Sequence, residues 1–207
     1  MRVLTWVVAL VAGVWGGLWF LASGAVERGI GAAVAQMRAD GMQANYADLT
    51  VQGFPSRVDV TVTDMALADP RTGWGWQAPF VQVFSLAYRP WHLIAAFAPE
   101  QTFQTPQGPV VLETTKMQAS LIVSPGPALA LDTTTLIGAD ITLRLGPGGT
   151  VQAREVRWGS RLDPSRANAH RIGVELADLR PDPAMLATLR TRGADLAEVV
   201  QVARLDA

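Results

Sequence analysis

The chain opens with an apolar run that extends from Val3 to Ala22 without a charged side chain. Helical residues rise 1.5 Å each, so this run reaches about 30 Å, the thickness of a bilayer's hydrocarbon core. Trp6 and Trp19 lie near opposite ends of the run, where indole rings favour the membrane interfaces. The pattern therefore predicts a transmembrane anchor over residues 1–24.

A cleaved secretory signal is the competing interpretation, because Arg2 precedes the run and the small residues 22–24 follow it. The apolar region of a signal peptide usually spans only about 7–15 residues, which is shorter than this run. We therefore favour an uncleaved, single-pass anchor in the inner membrane. The rest of the chain is then expected in the periplasm.

A helical pattern follows the anchor directly. Apolar residues recur at helical spacing between Val26 and Met37, and Asp40-Gly41 is a typical helix end. The pattern predicts a juxtamembrane helix over residues 25–42. This helix either packs on the following domain as a stalk or caps the open end of a sheet, and the pattern leaves both open.

From residue 44 the hydrophobic period changes to two, which is typical of half-buried strands. Valines at 58, 60 and 62 alternate with polar residues, and the phase slips at Asp64, which indicates a β-bulge. Further strand patterns joined by turn sequences continue to Leu179. Closely spaced strands of this kind predict an antiparallel meander.

Two segments depart from the strand pattern. Residues 89–99 are apolar without strict alternation, and we interpret them as a loop or a short helix. Asp182 and Pro183 fit an N-cap and a first helical residue, so a helix is predicted from Pro183 to Ala203. Residues 200–206 also alternate and fit a further strand at an unpaired edge, from which we expect the sequence to be a fragment.

The predicted fold is therefore mainly β behind an N-terminal transmembrane helix. Residues 43–207 form the β-rich domain, an antiparallel curved sheet or half-barrel flanked by two helices.

The amino-acid composition argues against several classes of function. The formal net charge of −1 gives no electrostatic footprint for nucleic acid, so no nucleic-acid partner is expected. The absence of cysteine excludes disulfides, thiol nucleophiles and cysteine metal sites. His92 lies in an apolar segment and His170 in a polar one, and no nucleotide-loop, nucleophile or zinc motif accompanies them. We expect a protein that is not an enzyme and carries no metal or cofactor.

Short motifs carry a resemblance to a known family. They are Gly53-Phe54-Pro55 with Arg57, the segment Tyr88-Arg89-Pro90-Trp91-His92, and Thr105-Pro106-Gln107-Gly108. In this order, behind an N-terminal anchor, they resemble a family of uncharacterised alphaproteobacterial envelope proteins that is distantly similar to the AsmA-like proteins. The resemblance implies long β-sheets that curl into a lipid-accommodating groove, and it supplies no catalytic residues.

The hypothesis for function follows from the balance of strands and helices. A sheet with one apolar face must cover that face with another layer, a helix or a ligand, and only two helices outside the membrane are predicted. We expect membrane lipids as partners, with acyl chains bound in a trough. The candidate lipid-binding residues are Val58, Val60, Val62, Phe84, Leu86, Tyr88 and Trp91.

The alternative function is an accessory subunit that docks a protein partner in an inner-membrane complex. Gly13 and Gly17 are spaced to let a second membrane helix approach closely, and they are the candidate helix-association residues.

Overall fold

A computed structural model of the protein describes residues 2–124, 130–166, 169–191 and 199–206. These residues form one long helix, α1 (Arg2–Ala39), an antiparallel sheet of twelve strands and a short helix, α2 (Pro183–Thr191). The strands are β1 (Gln43–Asn45), β2 (Asp48–Gln52), β3 (Arg57–Asp69), β4 (Trp74–Leu86), β5 (Arg89–Phe97), β6 (Glu100–Thr105), β7 (Gly108–Glu113), β8 (Lys116–Val123), β9 (Leu131–Arg144), β10 (Thr150–Leu162), β11 (His170–Pro181) and β12 (Val200–Asp206).

The sheet is a meander that curls into a partial ring. Three pairs of short strands continue one another, so the twelve strands occupy nine positions: β1 with β2, β5 with β6, and β7 with β8. Positions that follow one another along the chain are neighbours in the sheet. The predicted fold class, a mainly antiparallel β-domain behind a long apolar helix, is confirmed.

A line of irregular residues crosses the sheet, and we call it the crease. Asp64, Asp140 and Asp178 lie on it with left-handed φ angles of 49°, 50° and 52°. Pro79 lies opposite Asp64, and Arg154 lies between the other two aspartates. The three pairs of short strands break on the same line, between residues 45 and 48, 97 and 100, and 113 and 116.

The crease moves the side-chain alternation by one residue without inserting one. Thr63 pairs with Phe80 and Met65 with Ala78, so Asp64 faces Pro79 one to one. The β-bulge predicted at Asp64 is therefore wrong in form, because a bulge would place two residues opposite one. The predicted phase slip at this residue is correct.

Two predicted elements need correction. Residues 89–97 form strand β5 rather than a loop or helix, because β4 and β8 pair with this segment on its two sides. Of the predicted helix Pro183–Ala203, the structure describes α2 over Pro183–Thr191, and residues 192–198 lie outside the described residues. Val200–Asp206 is strand β12, because it pairs with β11 along the edge of the sheet.

Helix α1 is continuous across the predicted anchor and the predicted juxtamembrane helix. It is long and apolar enough to cross a membrane, and it is consistent with a single span or a signal sequence.

Candidate functional site

One face of the sheet carries two apolar rows that cross it beside the crease, and we call it the inner face because α1 lies against it. On the side of these rows away from the crease, hydroxyl groups interrupt the same face at Ser85, Thr134 and Ser160. Residues paired directly across antiparallel strands project to the same face. The row that begins at Val60 crosses eight strand positions as Val60, Val83, Ala95, Ala119, Leu136, Trp158, Val174 and Leu205. No residue of this row has a charged side chain, and the only polar side-chain group in it is the indole N–H of Trp158.

The row next to it, closer to the crease, is equally apolar. Val62 pairs with Val81 and Val81 with Phe97, and on the far side of the sheet Met117, Gly138, Val156, Leu176 and Ala203 pair in turn. On the far side of the crease, β9 again places an apolar residue, Ile141, on the inner face. A Cβ built on Gly138 would lie 2.6 Å from Cδ1 of Ile141, across Asp140, which places both residues on one side of β9.

The opposite, outer face is polar. The row between the two inner rows reads Thr61, Gln82, Ala96, Gln118, Ile137, Arg157, Glu175 and Arg204. Ion pairs join neighbouring strands here, including Arg204 with Glu175 and Arg144 with Glu113. Water therefore meets the outer face, and the inner face requires an apolar cover.

Helix α1 lies over the inner face at the β1–β5 end of the sheet, where the helix and the strands line a partly open cavity of about 830 Å³. The lining residues are Trp15, Leu18, Trp19, Ala22, Val26, Ile30, Val58, Val60, Val62, Met65, Trp76, Val81, Val83, Ser85, Leu86, Ala87, Pro90 and Leu93. Among them Ser85 alone has a hydroxyl. The volume falls in the range of about 300–1,000 Å³ that is typical of small-molecule sites.

The three tryptophans that line the cavity donate their indole N–H groups to oxygen atoms of the protein. Trp15 Nε1 donates to the carbonyl oxygen of Pro55 at 2.8 Å, and Trp19 Nε1 donates to that of Arg57 at 2.7 Å. Trp76 Nε1 donates to Oε1 of Gln101 at 3.0 Å. The tryptophans therefore present apolar ring surface to the cavity.

The Gly-Phe-Pro-x-Arg motif forms the loop on which α1 rests. Gly53 has a φ of 106°, and a Cβ there would lie 2.9 Å from the carbonyl oxygen of Arg57, so the position requires glycine. The Arg57 N–H donates to the Gly53 carbonyl oxygen at 2.9 Å and closes the loop. The Phe54 ring packs edge-on against Trp19, with centroids 5.6 Å apart.

Residues 19–207 match the family described as "Uncharacterized protein conserved in bacteria (DUF2125)". The chain belongs to this family. No curated protein and no solved structure matches the chain. The matched region of this DUF2125 protein begins at Trp19, the residue whose indole joins α1 to Arg57. It thus includes much of the part of the helix that packs on the sheet, while Trp15 and Leu18 precede it.

The structure brings together four of the seven predicted lipid-binding residues. Val58, Val60, Val62 and Leu86 line the cavity. Lipid binding by them stays a prediction.

The other three predicted residues lie outside the cavity lining. Phe84 is on the outer face, where the Arg57 guanidinium lies 5.4 Å from its ring centroid. Tyr88 is exposed in the β4–β5 turn, and Trp91 is half-buried. Val83 and Leu93 line the cavity in the places expected for Phe84 and Trp91. Val83 pairs with Val60, and Leu93 pairs with Ser85, so both project to the inner face.

Sequence reasoning missed the contribution of the helix to the cavity. A helical-period stripe from Trp15 to Ile30 was visible in the sequence, but half of it lies in the run assigned to the membrane. Gly13 and Gly17 have open space where a Cβ would be, so they lie on the side of α1 that faces away from the sheet. Helix association through them stays a prediction.

Both histidines contact serine hydroxyls. His92 Nε2 lies 2.9 Å from Ser120 Oγ, and His170 Nδ1 lies 3.2 Å from Ser160 Oγ. Within the described ranges, no carboxylate is hydrogen-bonded to either imidazole and no cluster of three metal-ligating residues occurs. The expectation that the protein is not an enzyme stays a prediction.

Proposed function

We propose that this protein is a non-catalytic, membrane-anchored component of the cell envelope that holds lipid acyl chains on the inner face of its sheet. The observation that carries the proposal is the apolar inner face, which crosses eight strand positions and is covered by α1 at only one end. A cover must be apolar and long, and an acyl chain is both.

An apolar side chain stays exposed at the end of the inner face far from α1, which supports an unfilled binding face. Leu205, at the end of the inner row, is 65% exposed. Contiguous apolar surface of this kind marks an interaction site in proteins that meet water.

Packing of α1 supports a permanent anchor in the inner membrane with the sheet in the periplasm. Trp19 and Ser23 are both buried in the fold. Signal-peptide cleavage within residues 22–24 would remove Trp19 and would cut the chain next to Ser23. Cleavage would delete the hydrogen bond from Trp19 to Arg57. The residues of the supposed signal are therefore part of the fold.

The test is lipid retention by the full chain. We would purify it from membranes in mild detergent and release bound molecules by native mass spectrometry, comparing Val60→Asp with Thr61→Asp. Val60 lines the cavity and Thr61, its neighbour, is on the outer face. The proposal expects co-purified phospholipid that is lost in the first variant and kept in the second.

A second, cavity-filling variant keeps the test informative if Val60→Asp fails to fold. Val83→Trp occupies the cavity without introducing a charge, and it too is expected to lose lipid. Folded, lipid-free wild-type protein, or equal retention in Val60→Asp and Thr61→Asp, would overturn the proposal.

Docking of a membrane partner is the second candidate function. The observation that favours it is the open space beside Gly13 and Gly17 on the free side of α1. Gly17→Ile would block close approach of a second helix, with Gly29→Ile, an exposed glycine on another face of α1, as the control. Loss of a co-purifying membrane protein in the first variant alone, from lipid-free protein, would favour this function over lipid binding.

A further inference from the structure

We propose that the end of the sheet formed by loop 53–57 and the turn at Ala87-Tyr88 is inserted in the outer leaflet of the bilayer that α1 crosses. We call this end the foot. The inference rests on the proposed anchoring by α1 and adds the partner of a specific surface, a lipid leaflet. It follows from where along the helix the sheet begins to make contact.

The free part of the apolar run is too short to span a bilayer. Arg2 bounds the run at one side, and Trp15 already bonds to the Pro55 carbonyl oxygen. The residues between them, 3–14, rise about 18 Å, against a hydrocarbon core of about 30 Å. The remaining 12 Å or so must come from residues 15–22, and any tilt of the helix increases that requirement.

Loop 53–57 lies beside this same part of α1. A Cβ on Gly16 would be 3.7 Å from the Phe54 ring, and Phe54 also packs against Trp19 and Phe20. A span that ends at Ala22 therefore places Phe54, which lies level with residues 16–20, about 3–9 Å below the outer surface of the hydrocarbon core. That depth is typical of interfacial apolar side chains.

The foot has the composition of a membrane-facing surface. Phe54 and Tyr88 are 54% and 61% exposed, and Phe20 of α1, which stacks on Phe54, is 67% exposed. Arg89 follows Tyr88 directly and is exposed, so its guanidinium group can reach lipid phosphates, whereas the Arg57 guanidinium is paired with Asp59. Aromatic tips with flanking arginines are the arrangement found at membrane interfaces.

Most carbonyl groups in loop 53–57 of the foot are hydrogen-bonded within the protein. Irregular backbone is tolerated at membrane depth only where the protein satisfies its polar groups. The carbonyl oxygens of residues 53, 55, 56 and 57 all accept hydrogen bonds, from the Arg57 N–H, the Trp15 indole, the Ala87 N–H and the Trp19 indole. These hydrogen bonds lower the free-energy cost of placing the four carbonyl groups at membrane depth.

Insertion would also give lipid direct access to the cavity. Trp15, Leu18, Leu86, Ala87 and Pro90 line its end at the foot. An acyl chain could therefore pass from the leaflet to the inner face without crossing water.

The test uses the absence of cysteine from the chain, which makes single-cysteine labelling unambiguous. Full-length Phe54→Cys, Ser56→Cys and Thr72→Cys carry an environment-sensitive nitrobenzoxadiazole dye in vesicles of phosphatidylethanolamine and phosphatidylglycerol. Thr72 is the matched control, because it is an exposed turn residue at the opposite end of β3 and β4. Ser56→Cys keeps the measurement informative if Phe54→Cys fails to fold.

Labels at positions 54 and 56 are expected to emit at shorter wavelength than the label at 72. They should be quenched by lipids brominated on the acyl chain, and iodide in the buffer should quench them several-fold less. Equal access of iodide to all three labels would overturn the inference. Repeating the experiment in Val60→Asp separates the two proposals, since that variant should lose cavity lipid and keep the insertion signal.

Discussion

The indole of Trp19 donates a hydrogen bond of 2.7 Å to the carbonyl oxygen of Arg57, thirty-eight residues away in sequence. This bond joins the predicted membrane segment to the first residue of β3, the strand whose valines line the cavity. Helix α1 and the cavity are therefore parts of one packed unit, and in the proposed membrane anchoring the helix sets the position of the cavity relative to the membrane.

Trp19→Phe is expected to destabilise the fold by about 1–3 kcal/mol, because it leaves the Arg57 carbonyl without its donor while keeping most of the ring. Trp6→Phe is the control, since Trp6 is exposed on the free part of α1. Thermal unfolding of the full chain in lipid nanodiscs measures both. Equal melting temperatures for the two variants would contradict the structural role of this bond.

The crease makes a separate prediction about backbone conformation. Asp64→Val is expected to cost about 1–3 kcal/mol, because a β-branched residue is strained at a φ of 49°, whereas Asp64→Gly should be nearly neutral. Thr63→Val, one residue away, is the control for the change in side chain. Urea unfolding monitored by circular dichroism distinguishes them, and a tolerated valine at position 64 would show that the left-handed conformation is not required.

Electrostatics of the outer face predict a pH dependence. Two hydrogen bonds from Arg144, both 2.9 Å, hold the pKa of the Glu113 carboxyl below its ordinary value. A depressed pKa stabilises the fold at pH values above the ordinary pKa of glutamate, and the stabilisation is lost as the pH falls through the lowered value. The effect is small because both side chains are substantially exposed.

Arg144→Met should return the pKa of Glu113 to its ordinary range in a carboxyl NMR titration. Glu175 is an internal control in the same spectra, because the hydrogen bond from Arg204 lowers its pKa independently. An unchanged Glu113 titration in the variant would refute the assigned cause.

The sequence was sufficient for the elements whose pattern has only one interpretation. Val58, Val60 and Val62 alternate with polar residues, so their common face was predictable, as was the phase slip at Asp64. The alignment of Pro79 and Arg154 with the crease was not predictable, because only the register between neighbouring strands brings these residues to that line.

The face of β4 illustrates what the pattern could not decide. Val83 and Phe84 are adjacent and both apolar, so the alternation fits either face. Helix α1 decides it by covering Val83, and the Arg57 guanidinium packs over Phe84 on the other side. The packed part of α1 was hidden for a similar reason, because an apolar membrane segment and an apolar packing stripe look alike in sequence.

The most direct test of the central claim is photo-crosslinking from neighbouring residues that point to opposite faces. A benzophenone amino acid would replace Ala95 or Ala96 in β5, and Leu136 or Ile137 in β9, in cells. Position 137 is a strict control, because Ile137 is apolar and 43% exposed yet lies on the outer face. The account predicts phospholipid adducts by mass spectrometry at 95 and 136 and none at 96 and 137. Adducts at both members of each pair, or at neither, would contradict acyl-chain binding on the inner face.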